Sequence, residues 1–148
     1  MSEKGKPIAL LTGAAAGPAQ LSYDDRWLAY FSRESGRLEV YVTSYPKVVG
    51  KWRVSVDGGT QPRWRRDGKE IFYISRDAKL MAAEVNATTD SFQPGAVRPL
   101  FDIRPASTRW DYDVSPDGQR FIVNMRVPQQ APNAPLTVLV NWPSVVGR

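Results

Sequence analysis

The chain contains no histidine and no cysteine. Without imidazole, Ser-His-Asp and Cys-His hydrolysis and His-ligated zinc, haem or non-haem iron are excluded. Without a thiol there are no disulfides, thiol nucleophiles, iron–sulfur clusters or Cys-bound zinc. Lack of cysteine does not fix a compartment, since it suits a reducing cytosol and an oxidising periplasm alike. Long apolar runs are also missing. Ile8-Ala9-Leu10-Leu11 is four residues long and stops at Thr12-Gly13, against about 20 for a bilayer span and a longer run than this for a secretory leader. The polar start, Met1-Ser2-Glu3-Lys4-Gly5-Lys6-Pro7, predicts a free-standing cytoplasmic protein with no membrane segment, unless the chain is a fragment whose export signal lies upstream.

What is present describes a folded domain. The 148 residues are 42% hydrophobic and include five Trp, six Tyr and five Phe, too much apolar area to leave in water. One domain of this size buries roughly 70% of its unfolded surface. Net charge is +5, which favours solubility and an acidic partner. Only Arg63, Arg65, Arg66 and Lys69 cluster, so the basic balance argues against a nucleic-acid surface. No helical period is evident.

Three segments resemble one another. They are Leu21-Ser22-Tyr23-Asp24-Asp25-Arg26-Trp27-Leu28-Ala29-Tyr30-Phe31-Ser32, Trp64-Arg65-Arg66-Asp67-Gly68-Lys69-Glu70-Ile71-Phe72-Tyr73-Ile74-Ser75 and Val114-Ser115-Pro116-Asp117-Gly118-Gln119-Arg120-Phe121-Ile122-Val123-Asn124-Met125. Their aspartates, Asp24, Asp67 and Asp117, lie 43 and 50 residues apart. Such spacing suits propeller blades of four strands. Asp-Gly between strand-like runs is a hairpin signal, because Gly68 and Gly118 accept positive φ and the carboxylate can bond nearby N–H groups. Asp25 stands where the other copies have glycine, which predicts a slightly strained turn or one of another type. The strand after each turn is apolar on both faces and must lie between two layers.

The predicted strands are 20–22, 26–32, 38–44 and 51–56 in the first unit, 61–65, 70–75, 79–85 and 97–102 in the second, and 110–114, 120–125 and 136–142 in the third. Loops are expected at 12–19, 45–50, 86–95 and 127–135. The third unit (about 110–142) lacks a fourth strand, while residues 6–11 look like a fourth strand with no unit of their own.

The Ser-Pro-Asp-Gly turn followed by an apolar strand resembles the TolB-type (WD-like) β-propeller repeat. The runs carrying the likeness are 25–30, 39–42, 58–70 and 112–121. The match is closer still to propeller domains at the C-terminal end of some bacterial serine/threonine protein kinases, although no kinase motif is present. The resemblance implies an all-β fold of four-stranded antiparallel blades, three per chain in a single domain over 1–148. Family propellers have about twice that number. The surplus strand at 6–11 and the deficit in unit three predict a homodimer closing a six-bladed ring.

On this reading Asp24, Asp67, Gly68, Asp117 and Gly118 are structural turn residues, and a cation-binding role for the aspartates is the lesser alternative. Arg63 and Arg65 alternate with Trp64 on the innermost strand. Trp64 then packs between blades while the arginines line a central channel. Asp111 and Asp113 fall on the matching strand of unit three and face them. These four are the candidate ligand-binding residues. Asp57-Gly58-Gly59-Thr60 lacks the lysine and helix of a phosphate loop and reads as a tight link between units. No catalytic residue, metal site or cofactor is assigned. The expected role is a non-catalytic module presenting a face and channel to a peptide, protein or small ligand. A carboxylate hydrolase at the channel mouth, a nucleic-acid binder and a kinase sensor-domain fragment are the alternatives.

Overall fold

The computed structural model describes residue 11, residues 17–105 and 110–125, and the backbone of 138–139. Every regular element among them is a strand. Sheet one contains β1 (Gln20–Leu21), β2 (Trp27–Ser32), β3 (Glu39–Ser44) and β4 (Lys51–Arg53). Sheet two contains β5 (Gly59–Trp64), β6 (Glu70–Ser75), β7 (Lys79–Ala87) and β8 (Phe92–Asp102). Sheet three contains β9 (Tyr112–Val114), β10 (Phe121–Val123) and β11 (Val138–Leu139). All three are antiparallel meanders, with neighbours in space following chain order. The predicted outer strand at 6–11 lies outside the described residues except for Leu11, which sits in a bend.

Alternation within each strand decides the layering. In β2 and β3, Trp27, Ala29, Phe31, Val40 and Val42 share one face and pack on Ile71, Tyr73, Ala83 and Val85 of sheet two. The opposite face of sheet two presents Phe72, Ile74, Leu80 and Ala82 to Tyr112, Phe121 and Val123 of sheet three. Sheet two is therefore buried on both sides, as its continuous apolar run requires. A fully buried Phe or Ile contributes about 1.5–3 kcal/mol by transfer alone.

The repeated turns are built from the same bonds. Gly68 N–H donates to the Arg65 carbonyl at 2.9 Å, Gly118 N–H to Ser115 at 2.8 Å and Asp25 N–H to Ser22 at 3.0 Å. The φ angles are +73° at Gly68, +70° at Gly118 and +57° at Asp25. Asp25 thus adopts the same left-handed conformation as the glycines. Each turn aspartate accepts an N–H two residues ahead, at 3.3 Å for Asp24, 3.0 Å for Asp67 and 3.0 Å for Asp117. Ser115 Oγ also donates to Asp117. That bond first, then the Gln119 N–H, holds the Asp117 carboxyl below its usual range.

A fourth copy joins β6 to β7, where the sequence shows no glycine. Ser75 Oγ donates to Asp77 at 2.6 Å, Lys79 N–H donates to Ser75 Oγ at 3.1 Å, and Ala78 has φ +61°. An L-residue pays about 1–2 kcal/mol for this conformation, partly offset by the extra unfolded-state freedom of glycine. Ala78→Gly is therefore expected to stabilise the chain by about 0.5 kcal/mol. Urea unfolding would show it as a raised midpoint at unchanged slope.

Several predicted boundaries need correction. Residues 86–95 are not a loop. β7 runs on to Ala87 and β8 begins at Phe92, because Thr88 and Ser91 close a tight turn through their backbone and side chains. β4 ends at Arg53, where Val54 N–H turns to the Val40 carbonyl at 2.8 Å. The strand predicted at 110–114 begins only at Tyr112, since Asp111 N–H leaves the ladder for Gln61 Oε1 at 2.7 Å. The strand predicted at 120–125 covers Phe121–Val123, with Arg120 N–H donated to Ser115 Oγ and Asn124 N–H to the Asp111 carbonyl. Of 136–142, only 138–139 is described, paired with β10.

Candidate functional site

The four candidate binding residues separate into three environments. Arg63 and Asp113 come together at 3.9 Å, with the Arg63 guanidinium 3.8 Å above the centre of the Trp110 ring. Among the described residues Arg63 Nε is buried without a hydrogen-bond partner. Arg65 belongs elsewhere. It lies beyond the end of β5, pairs with Asp67 at 3.3 Å and Glu70 at 3.1 Å, and packs its stem against Gly118 of the next sheet. Glu70 is shared with Arg98 at 2.7 Å. Asp111 is 1% exposed and accepts from Gln61 Nε2 at 2.8 Å, so solvent and ligands do not reach it. Trp64 is fully buried between sheets one and two, with its indole N–H donated to the Gln20 carbonyl at 3.1 Å. Asp24, Asp67, Gly68, Asp117 and Gly118 are all occupied in their own turns.

The feature missed by the motif reading is Gln61. It is 2% exposed with φ +54°, at a register shift in the β5–β6 pairing between Thr60 and Arg63. The following residue is Pro62, whose ring further restricts the residue before it. Three bonds hold this conformation: the two amide contacts with Asp111 and a Tyr112 hydroxyl donated to the Gln61 carbonyl at 2.8 Å. Burial pushes the Tyr112 hydroxyl well above its ordinary range, so it stays a donor. Strained, over-determined backbone of this kind collects at ligand sites.

Gln61 helps to form the floor of a groove of about 850 Å³. One wall is the β2–β3 turn, with Arg33 and Arg37. The other is the β6–β7 turn, with Ser75, Arg76 and Ala78. Gly58 completes the floor at φ +89°. The stem of Arg76 lies over it, so that a Cβ at Gly58 would sit 3.1 Å from Arg76 Cβ. Asp57-Gly58-Gly59-Thr60 is thus a link between sheets, as expected, and also the base of a cleft.

Glu39 anchors that base from below. Its side chain is fully buried and accepts from Arg37 Nε at 2.6 Å, Gly58 N–H at 3.1 Å and Ser55 Oγ. The signal for it in the sequence is a lone carboxylate inside the apolar run Leu38-Glu39-Val40-Tyr41-Val42. Such a buried charge must be paired to persist. Among the described residues no group of three or more acidic side chains is placed to hold a metal ion, and no helix is long and apolar enough to cross a membrane. Comparison with protein-family models and with curated proteins finds no match to this chain.

Proposed function

We propose that the chain is a run of three propeller-type blades acting as a non-catalytic binding module, with the groove between the turns of sheets one and two as its site. The observation that carries this reading is the strained, buried Gln61, held by three hydrogen bonds, in the floor of an 850 Å³ cleft. The volume lies within the roughly 300–1,000 Å³ usual for ligand clefts. Three meanders stacked in chain order support the propeller reading. The buried carboxylates support binding rather than catalysis: Glu39 and Glu70 face cations that hold the fold, and Asp111 faces Gln61. Ring closure by a second copy is part of the proposal. Ile122, half exposed on sheet three, is an apolar position such a copy would cover.

Two measurements test it. Light scattering is expected to give twice the chain mass, and a stable monomer rejects ring closure. For the groove, a displayed random-heptapeptide library is panned against the wild-type chain and against Thr60→Trp, which fills the cleft from its lining. An enriched motif that disappears with Thr60→Trp is the expected outcome. No enrichment, or the same motif on both proteins, rejects the site.

A further inference from the structure

Resting on the groove as the binding site, we infer that its ligand is an acidic peptide segment, with carboxylates paired to Arg33 and Arg76 and an aliphatic side chain on Leu38 and Pro105. Among the described residues three guanidiniums line the cleft and no carboxylate does. Arg37 is already committed, to Glu39 at 2.6 Å and Asp57 at 2.7 Å. Arg33 and Arg76 are exposed and, among the described residues, neither side chain makes an ion pair or hydrogen bond. They stand on opposite walls, one in each turn. Arg76 is also held, because its stem rests on Gly58, which lowers the entropy lost when its fork engages a carboxylate.

A cleft lined by one sign of charge concentrates the opposite sign, and the net charge of +5 adds a general attraction. Guanidinium–carboxylate pairs are the strong, directional form of such contacts. Beside Thr60, Gln61 and Ser75, the lining also offers apolar surface from Leu38, Ala78 and Pro105. That combination fits acidic residues flanking an aliphatic one. It lacks the open aromatic faces on which the bases of a single strand stack. Among the described residues the one aromatic ring in the lining, Phe31, is 4% exposed and packs in the core.

The test is fluorescence anisotropy of a labelled peptide of alternating Glu and Leu, with Gln-Leu and Lys-Leu peptides and single-stranded DNA of similar length as comparisons. The acidic peptide is expected to bind and to weaken with added salt. Arg33→Gln and Arg76→Gln should each weaken it about tenfold, the loss expected for one charge-assisted contact. Arg53→Gln, an exposed arginine on β4 outside the groove, should leave it unchanged. All three substitutions are at exposed positions, and circular dichroism confirms that each variant is folded. Equal loss with Arg53→Gln means attraction to overall charge and overturns the proposal. Equal binding of the Gln-Leu peptide, abolished by Thr60→Trp, overturns the acidic ligand but leaves the groove standing. Tighter binding of DNA through Arg33 and Arg76 replaces the peptide with a nucleic acid and overturns the proposal too. No binding by any probe overturns the acidic ligand, and if the library also yields no motif the groove falls with it.

Discussion

Phe92→Ala is expected to destabilise the chain by about 3–5 kcal/mol, the range for removing a buried aromatic side chain. Phe92 is 2% exposed. Its ring centre lies 5.2 Å from that of Trp27, 5.5 Å from Trp52 and 6.4 Å from Trp64. Those rings come from β2, β4 and β5, so the side chain ties the outer end of sheet two to sheet one. Each aromatic pair adds about 0.5–1.5 kcal/mol beyond burial. Domains of this size are stable by about 5–15 kcal/mol, so the variant gives up a large part of the total. Phe92→Leu keeps most of the volume and should cost less, about 1.5 kcal/mol. Urea denaturation followed by tryptophan emission measures both. A loss below about 0.5 kcal/mol for Phe92→Ala, the range for an exposed loop position, would show that residues 88–92 do not pack as described.

That position also marks how far local pattern reaches. Asn86 to Gly95 is rich in turn formers, Asn, Thr, Asp, Ser, Pro and Gly, and on composition it reads as a loop. What overrides composition is the anchoring of Phe92 among three tryptophans from other strands, a contact with no trace in its neighbours. The repeated turns were legible for the opposite reason. Their Asp-Gly chemistry is local; at Asp25, where the sequence predicts a strained turn or one of another type, the chain takes the left-handed geometry of the glycines. The face alternation of β2 and β6 was legible too, since continuous apolar runs admit only a two-sided burial. Gln61 was not. Its left-handed conformation sits just before a proline, where local preference disfavours it, and only its bonds to Asp111 and Tyr112, about 50 residues away in sequence, hold it. The same bonds account for the placement of Asp111. Alternation would have put it beside Asp113 on one exposed face, but its N–H and carboxylate are both drawn to the Gln61 amide. Arg33 and Arg76 carry no motif at all. They become a pair only when the turns of two sheets are brought to one cleft.

Glu39→Gln is expected to cost about 2–3 kcal/mol near neutral pH, from the loss of charge-assisted bonds to a buried carboxylate. Glu39→Ala should cost about 3 kcal/mol or more, because it also leaves Ser55 and the Gly58 N–H without their acceptor in a closed site. Arg37 is partly exposed and can return to water, which keeps the amide variant at the lower figure. The pH dependence identifies the charge as the cause. Burial raises the Glu39 carboxyl, but the bonds from Ser55, Arg37 and Gly58 outweigh it and hold the group below its ordinary value of 4.5. A carboxyl lowered by folding contributes its stability in full above the unfolded value, and loses it as pH falls through the folded one. The gap between wild type and Glu39→Gln is therefore widest above about pH 5 and closes as the buffer becomes acid. Chemical denaturation from pH 7 down to pH 3 reads this directly. A gap that stays constant over that range would assign the effect to shape alone. A closing gap shows that an ionised carboxylate under Gly58 secures the floor on which the Arg76 stem rests, and so links the stability of sheet one to the geometry of the cleft.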